Sequence, residues 1–287
     1  MAWSMERVRA RGASATVMIG FEDLERDFPG LSISALAADV DSGVEVFRHH
    51  PERVLDTASV GKIFLLHRLL TETDRGERSL EDRVTRRPVE QIDNSGIWYL
   101  LQQDSLTLYD VAALIGATSD NAATNTLCRV IGLDEVHAHT RALGYTQSGL
   151  DDIVRWPLPP GAPRTLSHAN AEELVRFVRR TADGDDLSAA AGDTLQRWLG
   201  AGMDLSMVAS AFGLDPLAHY YFDRDVWLWN KTGTISTVRA DVGLVMSPTR
   251  RLAYAVLINW ERGAPARDRA LDVMRQAGVA LRAELES

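Results

Sequence analysis

The feature of this chain that most limits its fold is where its β-rich segments lie: at the two ends, with a long helical stretch between them. Near the start, "LSISALAADV" (31–40) and "VEVFRHH" (44–50) run apolar or alternate with β-branched residues. Asp41-Ser42-Gly43 joins them as a turn signal, which predicts a hairpin. Asp39-x-Asp41-x-Gly43 also looks like the start of a calcium loop, but the rest of that motif is missing and a tight turn explains it. Near the end, "DVWLWNKTGT" (225–234), "VRADVGLVM" (238–246) and "RLAYAVLINW" (251–260) are β-rich again, and Ser247-Pro248-Thr249-Arg250 reads as a turn. Strands joined by hairpins pair antiparallel. The expected fold class is therefore α+β: one five-stranded antiparallel sheet flanked by helices over 5–28 and 265–285, with an all-helical insertion. Residues 1–57 and 204–287 are expected to form a discontinuous sheet domain and residues 58–203 a helical domain, with the active site between them.

Inside the insertion the apolar period is helical. "LTLYDVAALIGA" (106–117) follows a Thr107 cap, "SDNAATNTLCRVIG" (119–132) stops at Gly132, and "LDEVHAHTRALG" (133–144) stops at Gly144. "LSHANAEELVRFVRRTADG" (166–184) and "LSAAAGDTLQRWLGAG" (187–202) predict two more helices. Residues 149–166 are irregular and carry Pro157, Pro159, Pro160 and Pro163; a loop this long in a compact domain is usually functional.

Composition removes several function classes. The net charge is -9 and no basic run stands out, so nucleic acid is not an expected partner. The one cysteine, Cys128, forbids an intrachain disulfide and reads as a small core residue. No apolar run reaches the roughly 18 residues of a membrane span. Arg7, Arg9 and Arg11 precede "GASATVMIGF" (12–21), but this run is short, holds two glycines and meets Glu22-Asp23 at once. It reads as part of a helix rather than an export signal, and a cytoplasmic chain is expected. His137 and His139 do not share a helix face, and no other cluster has ligand spacing, so no metal is expected. Gly61-Lys62 lacks the rest of a phosphate loop, there is no dinucleotide fingerprint, and no cofactor is expected. Trp227 and Trp229 face one side of their strand and read as core by default, with a pocket wall near Lys231 as the alternative.

Three short motifs remain. Ser59-Val60-Gly61-Lys62 follows the cap residues Asp56 and Thr57, which would place Ser59 in the first turn of a helix with its backbone N–H free for an oxyanion. Lys62 would sit on the same face about 5–6 Å away. A serine hydroxyl needs a base to become a nucleophile, and a crowded, partly dry lysine can be that base. Ser119-Asp120-Asn121 opens a later helix; Ser119 could relay a proton, and Asn121 could pair with an amide. Lys231-Thr232-Gly233-Thr234 ends a strand, where a glycine often marks close approach by something else. Its lysine and hydroxyls could hold a carboxylate, and the Thr234 N–H could join that of Ser59 in an oxyanion hole. Taken singly, each motif also reads as an ordinary helix start or strand end.

In this order, the three motifs are those of class A β-lactamases and penicillin-binding proteins. The sequence resembles that family of penicillin-recognising serine hydrolases over most of residues 20–285, and "DVDSGVEVFRHHPERVLDTASVGK" and "NSGIWYLLQQDSLTLYDVAALIGATSDNAATNTL" extend the likeness. The resemblance implies an acylated nucleophile at Ser59, a proton acceptor at Lys62, and proton transfer to the leaving nitrogen by Ser119 and Lys231. It also implies substrate contacts at Asn121, Thr232, Gly233 and Thr234, with a β-lactam or related cyclic amide as the small-molecule partner. Arg239 reads equally as a carboxylate partner or as a surface strand charge.

One part of the pattern is broken. Class A β-lactamases carry a water-activating glutamate in the loop after these helices, following an Arg-Trp. Here Arg155-Trp156 is followed by Pro157, and 149–167 contains no glutamate, only Asp151 and Asp152. A positioned general base is worth roughly 10²–10⁴ in rate. Three readings stay open: a β-lactamase with another deacylation route, a D-peptidase or esterase on the same scaffold, and a non-turnover penicillin-binding protein that traps its acyl group. The sequence does not determine the oligomeric state.

Overall fold

The computed structural model describes residues 18–161, 165–219 and 225–287. Its centre is the five-stranded antiparallel sheet. The strands are β1 (Ser32–Asp39), β2 (Glu45–His49), β3 (Trp227–Ile235), β4 (Val238–Met246) and β5 (Arg251–Asn259), in the order β2-β1-β5-β4-β3. The early hairpin thus docks beside the last strand, with Ser32 opposite Asn259 and Asp39 opposite Leu252. At the hairpin turn, Asp39 Oδ1 accepts from Ser42 N–H at 2.7 Å, and Gly43 takes φ +73°.

Among the described residues there are eight α-helices: α1 (Phe21–Asp27), α2 (Lys62–Asp74), α3 (Leu108–Thr118), α4 (Asn121–Ile131), α5 (Leu133–Ala142), α6 (Ala171–Asp183), α7 (Ala189–Gly200) and α8 (Arg267–Leu285). Both faces of the sheet are covered, which is why β5 reads as a continuous apolar run. Leu252, Tyr254, Val256 and Ile258 pack with α1 and α8, whereas Ala253, Ala255 and Leu257 point the other way, into the core shared with α2, α3, α6 and α7. Trp229 is fully buried, and Cys128 is a buried free thiol that burial pushes up to about 12.

Two helix expectations change. Of the helix expected over 5–28, residues 5–17 lie outside the described residues, and α1 starts at Phe21, where Gly20 N–H is held by Gln276 Oε1 at 2.9 Å. The helix expected from residue 166 starts at Ala171, because Asn170 Oδ1 caps it through Glu173 N–H at 2.8 Å. Residues Ser167–Ala169 instead form a short strand that pairs with Leu55–Asp56 and Gly149–Leu150. That small sheet ties the segment leading to Ser59 to the irregular loop. No described helix is long and apolar enough to cross a membrane.

Candidate active site

Ser59 does not lie in the first turn of an α-helix. It sits in a single 3₁₀ turn, Ala58–Gly61, and α2 begins only at Lys62. The Thr57 hydroxyl does not cap the turn because it is engaged with Ser167 Oγ at 2.7 Å. Three-residue periodicity eclipses positions i and i+3, so Ser59 and Lys62 still stack along one side.

The turn is held under strain. Ala58 takes φ +50°, a left-handed conformation that costs a non-glycine residue about 1–3 kcal/mol unless its surroundings impose it. Here they do. Ala58 N–H donates to Thr165 Oγ1 at 3.2 Å, and its carbonyl accepts from Ser167 Oγ at 2.6 Å. Buried Ser167 also accepts from Gly61 N–H at 3.1 Å. A Cβ on Gly61 would fall 2.3 Å from the Ser167 Cβ, which explains the glycine in this motif.

Ser119 is the second strained residue, at φ +55°. It closes α3, and Asp120 caps α4 by accepting from Ala123 N–H at 2.8 Å. The other Asp120 oxygen accepts from Ile97 and Trp98 N–H, both at 2.7 Å. Ser95 Oγ donates to the Ser119 carbonyl at 3.3 Å, and Asn121 Nδ2 donates to Asn94 Oδ1 at 2.5 Å. The 94–98 segment is thus stitched onto the second motif. Sequence reading missed this support; its signal was the turn chemistry of Asn94-Ser95-Gly96.

The two lysines meet at Ser119. Lys62 is fully buried, and its Nζ donates to the Ser119 carbonyl at 2.7 Å and to Asn121 Oδ1 at 2.8 Å, with Ser119 Oγ at 3.3 Å. Lys231 Nζ donates to Ser119 Oγ at 3.0 Å and to the Thr232 carbonyl at 2.8 Å. Burial, and then the charge of Lys231, hold Lys62 well below the ordinary lysine range, while Asp120 acts in the opposite sense. Burial lowers Lys231 only to about 8, against the pull of Asp204 and Asp241. Of the two, Lys62 is therefore pushed further toward its neutral form, and Lys231 is the one that keeps its proton at neutral pH. A neutral amine has two N–H groups and one lone pair. Two short acceptors occupy the two N–H groups of Lys62, which leaves its lone pair available as a base. Among the described residues Ser59 Oγ makes no hydrogen bond, including to Lys62; such contacts commonly tighten only when substrate is bound.

Gly233 explains how the strand reaches the Ser59 turn. A Cβ there would fall 1.9 Å from the Thr57 carbonyl oxygen and 3.2 Å from Ser59 N. Only a glycine lets β3 lie against the turn. Ser59, Ser119, Asn121, Lys231, Thr232 and Thr234 all line one cavity of about 680 Å³. Lys62 and Gly233 lie behind its wall. Arg239 does not line it: its guanidinium folds back on the carbonyls of Ile235 and Val238, both at 2.7 Å, and stacks over Trp260. Sequence reading also missed buried Asp241, which accepts from Asn230, Tyr254 and Val208 N–H and is pushed up to about 7 by burial.

The irregular loop forms the facing wall. Asn125 clamps it, donating to the Val154 carbonyl and accepting from Val154 N–H, each at 2.8 Å. Both aspartates are engaged. Asp151 holds His168 Nδ1 at 2.7 Å, and Asp152, which does line the cavity, pairs with Arg155 and accepts from Ile153 N–H at 2.8 Å.

A match over residues 20–285 to the model of the beta-lactamase enzyme family agrees with this arrangement. The chain belongs to that family. Its fold superposes on a beta-lactamase from Sphaerobacter thermophilus DSM 20745, with a TM-score of 0.77 and 25% identity, covering 92% of this chain and 95% of that one. It is also similar to a class A beta-lactamase from Mycobacterium abscessus (TM-score 0.77, 20% identity, 93% and 98% covered). PBP-A, solved as a mutant in an acyl-enzyme complex with penicillin G, is a further structural relative (TM-score 0.75, 20% identity, 93% and 97% covered). The chain is thus a serine beta-lactamase-like hydrolase with the β-lactamase/transpeptidase-like fold.

A possible ligand set for a metal lies outside the beta-lactamase cavity. Glu25, His49 and His50 bring one ligand atom each within 4.8 Å of one another, although their sequence spacing gave no motif. Packing of α1 against β2 brings them together. Glu25 is already paired with Arg53 at 2.5 Å and shares a hydrogen bond with His49 at 3.0 Å, so both carboxylate oxygens have partners within the protein.

Proposed function

We propose that this protein opens a β-lactam or related cyclic amide through an acyl-enzyme on Ser59. The neutral Lys62 amine takes the Ser59 proton as Oγ attacks the carbonyl carbon. The developing oxyanion meets the backbone N–H groups of Ser59 and Thr234. The ring C–N bond breaks, and its nitrogen receives a proton from Ser119 Oγ, which Lys231 polarises; Ser119 in turn takes the Ser59 proton from Lys62, whose Nζ lies 3.3 Å from Ser119 Oγ. Thr232, Thr234 and the Lys231 charge receive the substrate carboxylate, and Asn121 pairs with its side-chain amide. One observation carries this reading: the chain Lys231–Ser119–Lys62, in which two buried lysines share one serine hydroxyl beside Ser59. With a chromogenic cephalosporin, Ser59→Ala is expected to lose at least about 10³-fold in ring opening while keeping its folding transition. Full activity in that variant would overturn the assignment.

A second reading rests on a separate observation. Both loop aspartates have partners, Asp151 with His168 and Asp152 with Arg155, so neither stands ready to activate water. This favours slow release of the acyl group, as in a penicillin-binding protein. A burst of one chromophore per protein followed by a slow phase would select this reading; linear turnover from the start would select an efficient β-lactamase.

A further inference from the structure

We propose that the acyl side chain of the substrate is elongated, apolar along its middle and uncharged but polar at its tip, and that it crosses into a second cavity beside the catalytic one. This rests on the Ser59 reading above and names the substrate class it would take. The second cavity has a volume of about 590 Å³, and Leu158 and Ile235 line both cavities. The two spaces therefore meet over an apolar saddle, with one side chain from the loop and one from the strand.

The saddle is built of side chains that water does not favour. Leu158 is 48% exposed and Ile235 37% exposed, and Trp156, also on the catalytic wall, is 70% exposed. Ile97 and Met203 add further exposed apolar surface to the same mouth. Large exposed apolar side chains grouped around a concave site mark a surface that a ligand covers.

Beyond the saddle the chemistry changes. Ser236 and Thr237, in the β3–β4 turn, and Asn259, at the end of β5, line the second cavity. The floor is fixed, because Asn259 donates to the Asp56 carbonyl and accepts from Asp56 N–H, both at 2.9 Å. Trp260 N–H donates to the Thr237 carbonyl at 3.0 Å, which holds the turn against β5. Asp56 also lines it, so with Glu261 the cavity sets two carboxylates against the Arg262 guanidinium, and a neutral tip that donates N–H groups fits better than a carboxylate. Ile235 follows Thr234 directly in β3, so a chain anchored by its amide in the catalytic cavity is led onto the saddle.

The test uses the whole protein and three penicillins that share one nucleus and differ only in the amide substituent: acetyl, hexanoyl and an eight-carbon chain ending in a primary carboxamide. The rate constant for adduct formation is read by intact mass. The long carboxamide is expected to react at least about tenfold faster than the acetyl compound, since each buried methylene is worth about that much in a fitted pocket. Thr237→Trp, which fills the second cavity, should remove the gain and leave the acetyl rate within about twofold. Ser236→Tyr is a second blocking variant, should the first not fold. Equal rates across the series, or a gain that survives both variants, would overturn the proposal while leaving Ser59 acylation intact. Absence of an adduct with all three compounds would instead overturn the Ser59 reading, and this inference with it.

Discussion

At the residue scale, the proposed chemistry turns on two lysines of unequal basicity around Ser119. In that proposal Lys62 acts as base only while neutral, and Lys231 assists only while charged. Since burial lowers Lys231 to about 8, the acylation rate should fall on the alkaline side with a midpoint near pH 8. Lys231→Arg keeps the charge at all accessible pH values. A pH profile of kcat/KM should therefore lose its alkaline limb in that variant, even at a lower maximum. An unchanged limb would assign the titration to another group. Gly233 offers a steric test. Its missing Cβ would meet the Thr57 carbonyl at 1.9 Å, so Gly233→Ala must push β3 off the nucleophile turn. A misplacement near 1 Å costs about 10² in rate, and steady-state kinetics should show that loss with a largely preserved far-UV spectrum.

At the scale of elements, the proposed release of the acyl group is tested in the segment following α5. Its backbone is fixed by Asn125 on Val154 and by the short strand at Ser167–Ala169, not by regular structure. Asp152 has both oxygens occupied. Asp152→Asn should accordingly change the decay of the acyl adduct by less than about threefold, a small part of what a positioned base contributes. A slowing of 10²-fold or more, followed by intact mass, would make Asp152 the water-activating group after all. These elements also show what was legible in the sequence. The strands, the Thr107 cap and the glycine stops of α4 and α5 are local signals, and the structure reproduces them. The 3₁₀ turn at Ser59 was not legible, because Ser167, more than a hundred residues away in the chain, dictates it. The role of Asn94-Ser95-Gly96 was hidden for the same reason: it depends on Asp120, reached only after folding.

For the whole molecule, burial of ionisable groups on both sides of the sheet sets the response to acid. His67 and His139 share a hydrogen bond of 2.9 Å between α2 and α5, and burial lowers both to about 4. Between their unfolded value near 6.5 and about 4 the unfolded chain binds more protons, so stability falls as the pH drops through that window. A fully buried histidine would contribute about 1.4 kcal/mol per pH unit; His139, being more exposed, contributes less. Asp241 works in the opposite direction. Its folded value of about 7 lies above its unfolded value, so its contribution is full at low pH and is lost as the pH rises through 7. The opposed effects should leave the wild type nearly level from pH 7 to pH 5. Asp241→Asn removes one side of the balance and should lose about 2 kcal/mol more than the wild type over that range in urea titrations. Parallel curves for the two proteins would show that Asp241 is ionised throughout.

The three motifs, 60 and 112 residues apart in sequence, line one cavity, and their joint role was legible only through the resemblance of the three taken in order, since each alone reads as an ordinary helix start or strand end. Arg239 was not legible: its strand position was clear, but Trp260 and two backbone carbonyls draw its guanidinium away from the cavity. Acylation of Ser59 is most directly tested by intact-mass spectrometry of the protein during incubation with penicillin G, with Ser59→Ala in parallel. The expected result is a gain of one penicillin mass within seconds to minutes in the wild type only, on a peptide containing Ser59, followed by slow clearance. No adduct on the wild type while the β-lactam is consumed, or an equal adduct on Ser59→Ala, would contradict it.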